Sequence, residues 1–267
     1  MKRIVLCADD FGQSAAINQG ILQLVQAGRL SAVSCMTEAD SWREWGASLA
    51  RQQDSIDIGL HFNLTHPCDL QSGNARPLNS ILIDSLRGRI DQRALVATLH
   101  AQLDRFETVI GKAPDFIDGH QHVHMLPGIR SVLLSEIGRR YTGDKPYLRN
   151  VNPGLSHSPS PLKTLLLKTL NTGFAGAARR AGLACTRGFG GIYSLRPDAD
   201  FAALMQRWLT LARSGDLLMC HPGIAAIDAT DPIAATRPRE LQHLNSDVFA
   251  AQLHGANVQL SRFIRAA

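Results

Sequence analysis

The chain opens with the stretch IVLCADDFG (residues 4–12), a short apolar run followed at once by two carboxylates and a glycine. The run Ile4–Ala8 has the length and the unbroken apolar character of a fully buried strand. Runs of this kind recur along the chain and alternate with longer segments of helical periodicity. This alternation predicts parallel strands joined by crossover helices, either in a doubly wound sheet or in a barrel.

Helix and strand signals place the remaining elements. Ser14 can cap a helix that Gly28 ends, and Asp91 can cap another that ends before Gly111. The other predicted strands are 32–36, 56–62, 115–118, 147–149 and 216–220, and the other predicted helices are 41–51, 129–140, 162–181, 201–213 and 246–254. The stretches 66–90 and 222–245 are expected to be long loops.

Length and composition predict one globular α/β domain. With 267 residues and 45% hydrophobic content, the chain can bury one sizeable core, and we expect residues 1–267 to form a single domain. The five cysteines are scattered and odd in number, which predicts reduced thiols instead of disulfides or a thiolate metal site. The N-terminal apolar run is too short for a signal peptide, and no stretch has membrane-spanning length. We therefore expect a soluble, cytoplasmic protein.

The net charge of +5 is diffuse except in one basic cluster. The members of this cluster are Lys163, Lys168, Arg179, Arg180 and Arg187. It is either a solvated helical face or a surface that attracts an anionic or membrane-borne substrate. Peripheral membrane contact through the leucines at 165–167 and a homodimer stay open as alternatives. No aromatic residues interleave with the charges, so nucleic acid is not expected as a partner.

Polar clusters follow four of the predicted strands. They are ADDFG (8–12), GLHFN (59–63), DGHQHVH (118–124) and MCHPG (219–223). Because the carboxyl ends of parallel strands converge on one crevice, we expect these clusters to form one site.

Asp9 and Asp10 are adjacent carboxylates, and Gly12 allows the chain to turn sharply beside them. In one interpretation, one carboxylate is a helix cap and the other a turn residue. In the other, one carboxylate binds a cation and its neighbour accepts a proton, since a nearby cation relieves the repulsion between them.

The histidines favour the metal interpretation. His120, His122 and His124 would share one face if the strand continued through them. Imidazole is the commonest side-chain ligand for borderline metals. We predict Asp10, His61 and His120 as ligands, because a set of three leaves positions for water and substrate, as catalytic sites do. His122 and His124 are expected to line the substrate pocket or to support the ligands.

Together these strings resemble the YdjC-like carbohydrate deacetylases, a family that includes chitooligosaccharide and hopanoid-associated deacetylases. The matching strings are ADDFG, GLHFNLT (59–65), DGHQHVHM (118–125) and MCHP (219–222), so the resemblance extends from residue 4 to about residue 223. One departure concerns the third string, in which Gly119 and Gln121 stand where family members often have Ser and His.

The resemblance implies a distorted (β/α) barrel related to the polysaccharide-deacetylase architecture. It implies one divalent ion, Mg²⁺ or Zn²⁺, held by Asp10, His61 and His120. It also implies Asp9 as the general base and His221 as the acid-side histidine. The implied activity is removal of an N-acetyl group from an amino sugar, carried by an oligosaccharide or a glycosylated lipid.

Three points stay open at this level. Arg149 is expected to orient Asp9, to bind a substrate oxygen, or to lie at the surface. One alternative function is a metal-dependent phosphoesterase on a similar barrel, although such enzymes usually carry His-x-His on the first strand, where this chain has Asp9 and Asp10. The other alternative is a sugar-binding module without turnover.

Overall fold

The computed structural model describes residues 1–67, 75–153, 161–226 and 231–264. Within these ranges the chain forms strands β1 (Lys2–Phe11), β2 (Ala32–Cys35), β3 (Asp57–Phe62), β4 (Phe116–Gly119), β5 (Tyr147–Leu148), β6 (Phe189–Gly190), β7 (Leu217–Cys220) and β8 (Val258–Leu260). The helices are α1 (Ala15–Gln26), α2 (Asp40–Ala50), α3 (Leu78–Leu86), α4 (Gln92–Ile110), α5 (Ile129–Arg140), α6 (Pro161–Asn171), α7 (Phe174–Arg180), α8 (Phe201–Leu211), α9 (Arg237–Leu244) and α10 (Asp247–Gly255). A 3₁₀ segment covers His120–Met125.

All strand pairs in the sheet are parallel, and the sheet is curled. The strand order is β5-β4-β3-β2-β1-β7-β6, with β8 beside the start of β1. Leu148 pairs with Cys185 in an isolated parallel bridge, which joins the β5 edge to the segment leading into β6. The sheet therefore curls into a distorted barrel, which confirms the predicted barrel over an open doubly wound sheet.

The predicted local signals explain most elements. Ser14 accepts a hydrogen bond from the backbone N–H of Ile17 and caps α1. Asp91 caps α4, and Gly111 ends it in the left-handed region. The buried apolar side chains of the strands and the inner helix faces form one continuous core cluster. This core holds the carboxyl ends of β1, β3, β4 and β7 at one end of the barrel, with β2 between β1 and β3.

The structure differs from the expected secondary structure in four places. The expected loops contain the helices α3 and α9. The apolar pattern does not reveal α9, because this helix buries Arg237 and Glu240 and has no regular apolar stripe. The expected helix 162–181 is broken at Gly173, which has a φ of 75°. The histidine-rich stretch leaves the sheet after Gly119, so its histidines do not share a strand face. The short strand β8 was not predicted.

The surface and the cysteines agree with the sequence. Four cysteines are free thiols, and Cys68 lies outside the described residues. Lys168, Arg179, Arg180 and Arg187 are exposed, and the side chain of Lys163 is outside the described set. Across the described ranges, no helix is both long enough and apolar enough to cross a bilayer.

Candidate active site

The end of β1 directs two adjacent carboxylates to different partners. Asp10 has a φ of 71°, and the pairing of β1 with β2 shifts register between Ala8 and Phe11. Asp tolerates this left-handed conformation better than most residues. Gly12 follows with a φ of 97°, and a Cβ there would lie 2.1 Å from the Met36 carbonyl oxygen. The predicted sharp turn therefore begins two residues before Gly12, at Asp10 itself.

Asp10, His61 and His120 come together from three different elements. Asp10 Oδ1 lies 3.4 Å from His61 Nε2 and 3.1 Å from His120 Nδ1. One ligand atom from each residue falls within 4.8 Å of the other two. One carboxylate oxygen and two imidazole nitrogens form a donor set that suits a divalent ion of borderline softness. The structure thus brings the three predicted ligands to one centre.

Asp118 fixes the orientation of His61. His61 Nδ1 lies 2.6 Å from Asp118 Oδ1, which also accepts a hydrogen bond of 2.6 Å from the Ser34 hydroxyl. This contact leaves His61 Nε2 facing Asp10. Burial alone would lower the pKa of His61, but the carboxylates of Asp118 and Asp10 raise it to about 10. The surroundings of the ring therefore favour a positive charge at this centre.

Asp9 is paired with a buried arginine. Arg149 Nη1 donates to Asp9 Oδ2 at 2.6 Å, and Arg149 Nη2 donates to Asp9 Oδ1 at 2.6 Å. Burial alone would raise the pKa of the Asp9 carboxyl, but the Arg149 guanidinium outweighs it and holds that pKa well below its usual range. Asp9 is consequently ionised and fixed in direction.

A second group of potential ligand atoms surrounds the same guanidinium. Cys7, Asp9 and Asp118 each offer a ligand atom within 4.8 Å of the others. Arg149 Nη2 lies 3.2 Å from Cys7 Sγ and 2.5 Å from Asp118 Oδ2. Because Arg149 already supplies the compensating positive charge, this group does not need a metal ion.

Substrate contact was one of the roles expected for Arg149 and for His124, and the positions of the two side chains do not favour it. Both side chains are fully buried. Of the roles considered for Arg149, the structure places it in the one that orients Asp9. The His124 ring donates from Nε2 to the Arg149 carbonyl oxygen at 2.9 Å, and burial lowers the pKa of His124 to about 4. His124 is therefore a neutral donor behind the site.

His221 is held by a buried glutamate from α9. Its backbone N–H donates to Glu240 Oε2 at 2.6 Å, and the Tyr193 hydroxyl donates to Glu240 Oε1. His221 Nδ1 lies 4.0 Å from Glu240 Oε1. Asp216, five residues before His221, accepts a hydrogen bond from the backbone N–H of Arg213.

Two more histidines make ring contacts in this part of the molecule. His122 is partly exposed, and its ring lies 5.3 Å from the Phe189 ring. The His66 ring lies 6.0 Å from that of His120. Sequence reasoning also missed Asp118, Arg237 and Glu240 as site residues. Asp118 stands next to the histidine string and could have been found there, whereas the two α9 residues have no local signal.

The family model described as YdjC-like protein matches residues 3–255 of the chain. The chain belongs to the YdjC-like family. A relative that covers nearly the whole YdjC-like chain is the human protein named carbohydrate deacetylase (Homo sapiens). It is 31% identical over 97% of this chain and 89% of its own length. The chain spans about half the length of other carbohydrate and chitooligosaccharide deacetylases that it matches, 49% in the mouse protein and 53% in that of Serratia marcescens.

Solved structures show the same architecture. A protein of Enterococcus faecalis described as a cellobiose-phosphate cleavage protein superposes with a TM-score of 0.70 at 20% identity, over 98% of this chain and 97% of its own. A peptidoglycan N-acetylglucosamine deacetylase superposes with a TM-score of 0.54 at 10% identity, over 97% and 85% of the two chains. The predicted relation to the polysaccharide-deacetylase architecture is confirmed at the level of the fold.

Proposed function

We propose that this YdjC-like protein is a carbohydrate N-deacetylase, a hydrolase that removes an acetyl group from the nitrogen of an amino sugar. The observation that carries the proposal is the convergence of Asp10, His61 and His120 beside Asp9, at the carboxyl ends of the barrel strands. The whole-length human relative, named carbohydrate deacetylase, supports the same activity. The proposal treats residues 1–267 as one catalytic domain.

The donor set fits one divalent ion. Asp10 Oδ1, His61 Nε2 and His120 Nδ1 are the atoms that would hold it. Two nitrogens and one oxygen favour Zn²⁺, Mn²⁺ or Co²⁺, and Mg²⁺ is the harder alternative. When bound, the ion would polarise the acetyl carbonyl and make a water molecule more acidic.

Asp9 and His221 supply the proton transfers in this proposal. Asp9 is kept ionised by Arg149, so its carboxylate can accept the proton of the attacking water. Ala8 on β1 pairs with Cys220 on β7, so Asp9 and His221, the next residues, lie at the same end of two neighbouring strands. His221 donates a proton to the sugar nitrogen as the C–N bond breaks, which releases acetate and a free amine.

A phosphoesterase is the weaker candidate. Such sites usually bind two or three ions, whereas Asp10, His61 and His120 form one cluster of ligand atoms among the described residues. The other cluster already contains Arg149. A sugar-binding module without turnover does not require the ionised Asp9 beside His221.

The test is product release from a panel of substrates. Metal-loaded protein is incubated with N-acetylglucosamine, chitooligosaccharides and phosphorylated sugars, and free acetate and free phosphate are both measured. Acetate release from an N-acetylated sugar supports the proposal. Phosphate release without acetate would favour the phosphoesterase, and binding without either product would favour the sugar-binding module.

The role of Asp9 is tested by Asp9→Asn. We expect turnover to fall by about 100-fold or more, because asparagine cannot accept the proton. Ion affinity should stay close to wild type, since Asp9 faces Arg149 and not the ligand cluster. Turnover near the wild-type rate would remove Asp9 as the base.

The location of the protein, its oligomeric state and its contact with membranes stay predictions within this proposal. We expect a cytoplasmic enzyme, with a homodimer as an open alternative. Leu165 and Leu166 are 62% and 47% exposed on α6, and Lys168 is exposed one turn away. This surface supports contact with an anionic membrane if the amino sugar is carried by a lipid.

A further inference from the structure

Arg237 reaches the ligand cluster from the first residue of α9. Its Nη2 donates to Asp10 Oδ2 at 2.8 Å, and its Nε donates to Asp231 Oδ2 at 2.5 Å. The side chain is buried, and its stem packs against the Gly223 backbone, where an added Cβ would lie 3.2 Å from Arg237 Cδ. The guanidinium is therefore held between two buried carboxylates.

This contact divides the two oxygens of Asp10 between different partners. Oδ1 faces His61 and His120, whereas Oδ2 is taken by Arg237. Rotation of the carboxylate toward a bidentate position would break the Arg237 contact. Bidentate carboxylates and oxygen-rich ligand sets are typical of Ca²⁺ sites. The arginine thus limits the centre to one oxygen and two nitrogens.

One donor of the same guanidinium is left open. Arg237 Nη1 is buried and has no hydrogen-bond partner among the described residues. Buried polar groups in a purely structural network are normally satisfied. An unsatisfied donor on the guanidinium that contacts Asp10 is what a ligand-binding site requires, because a bound water or ligand oxygen can complete it.

We propose that Arg237 determines the metal selectivity of the centre by holding Asp10 as a one-oxygen ligand and compensating the charge of Asp231. The inference rests on the proposed function, since it concerns the ion that the deacetylase would bind. With Arg237 in place, the donor set favours ions such as Zn²⁺ over Ca²⁺. Without it, Asp10 Oδ2 and the Asp231 carboxylate become additional oxygen donors and favour the harder ion.

The test is direct binding of Zn²⁺ and Ca²⁺ to metal-stripped protein by calorimetry, with a competing chelator for Zn²⁺. In Arg237→Gln, we expect the preference for Zn²⁺, the ratio of the two dissociation constants, to fall by about tenfold or more. The control is Arg239→Gln, an exposed arginine on the same helix, which should keep the wild-type ratio. The visible spectrum of bound Co²⁺ should change only in Arg237→Gln, because the number of ligands changes.

Each outcome decides the inference. An unchanged ratio in folded Arg237→Gln overturns it and leaves the proposed function standing. A wild-type protein that binds neither ion overturns both. If Arg237→Gln does not fold, Arg237→Lys replaces it, because one lysine nitrogen cannot reproduce the contacts to both Asp10 and Asp231. A lowered ratio in Arg237→Lys then supports the inference, and a wild-type ratio overturns it.

Discussion

Arg149 and Asp9 form a two-point ion pair with both N–O distances at 2.6 Å, in a position where the arginine has no solvent exposure. The same guanidinium contacts Asp118, which in turn fixes His61. Arg149 therefore links the expected base to the expected ligand cluster, although it belongs to neither group.

Replacing Arg149 should cost much of the stability of the fold. In Arg149→Gln, the Asp9 carboxylate stays buried without its ion-pair partner, Asp118 keeps only His61 and Ser34, and the expected loss is about 3–5 kcal/mol in the free energy of unfolding. Urea denaturation followed by circular dichroism measures the loss. The control is Arg139→Gln, which removes an exposed partner of Glu136 and should cost less than about 1 kcal/mol. Equal stabilities of the two variants would show that the buried pair contributes little.

Replacing Glu240 should affect turnover more than ion binding. Glu240 accepts hydrogen bonds from the His221 backbone and from the Tyr193 hydroxyl, and glutamine has only one acceptor oxygen for the two donors. We expect Glu240→Gln to lower kcat by about tenfold through a displaced His221. Calorimetry should find its ion affinity unchanged. Tyr193→Phe, which removes only the other donor, is the matched control with a smaller effect. A loss of ion binding in Glu240→Gln would contradict this separation.

The low pKa of His124 predicts that mild acid lowers the stability of the fold. Its pKa lies at about 4 in the folded protein, below the ordinary 6.5, so the unfolded chain binds the extra proton between these values. The contribution of neutral His124 to the free energy of unfolding is fully present above pH 6.5. It is lost as the pH falls toward 4, and the loss is roughly 3 kcal/mol. His124→Gln keeps a donor for the Arg149 carbonyl but cannot titrate. Its unfolding free energy should fall less across this window than that of wild type.

The control for this pH dependence is His254→Gln, which changes an exposed histidine. Its pH profile of stability should follow wild type. If His124→Gln also followed wild type between pH 6.5 and 4, protonation of His124 would not be the cause of the acid sensitivity.

The sequence was sufficient for the barrel and for the grouping of Asp10, His61 and His120, because both depend on local patterns. Short apolar runs predict the strands, and the polar residues that follow them must meet where parallel strands end. Asp10, His61 and His120 each stand at such a position, and the structure brings them together. His124 does not share a face with His120, because the backbone leaves the sheet after Gly119, with positive φ at Gln121 and His122.

The supporting residues could not be predicted in the same way. Arg237 and Glu240 lie three residues apart at the start of α9, in a stretch without apolar periodicity. Their roles depend on contacts with distant residues. Arg237 contacts Asp10, more than 200 positions away in the chain, and Glu240 contacts His221, 19 positions away. Only the folded barrel brings such distant residues together, since no local propensity specifies these contacts.

The central claim is that one divalent ion binds between Asp10, His61 and His120. Elemental analysis of reloaded and desalted protein tests it most directly, with His61→Ala beside wild type and the exposed-site variant His254→Ala as control. We predict about one ion per chain in wild type and in His254→Ala, and almost none in His61→Ala. Wild-type protein without an ion, or equal occupancy in His61→Ala, would contradict the account.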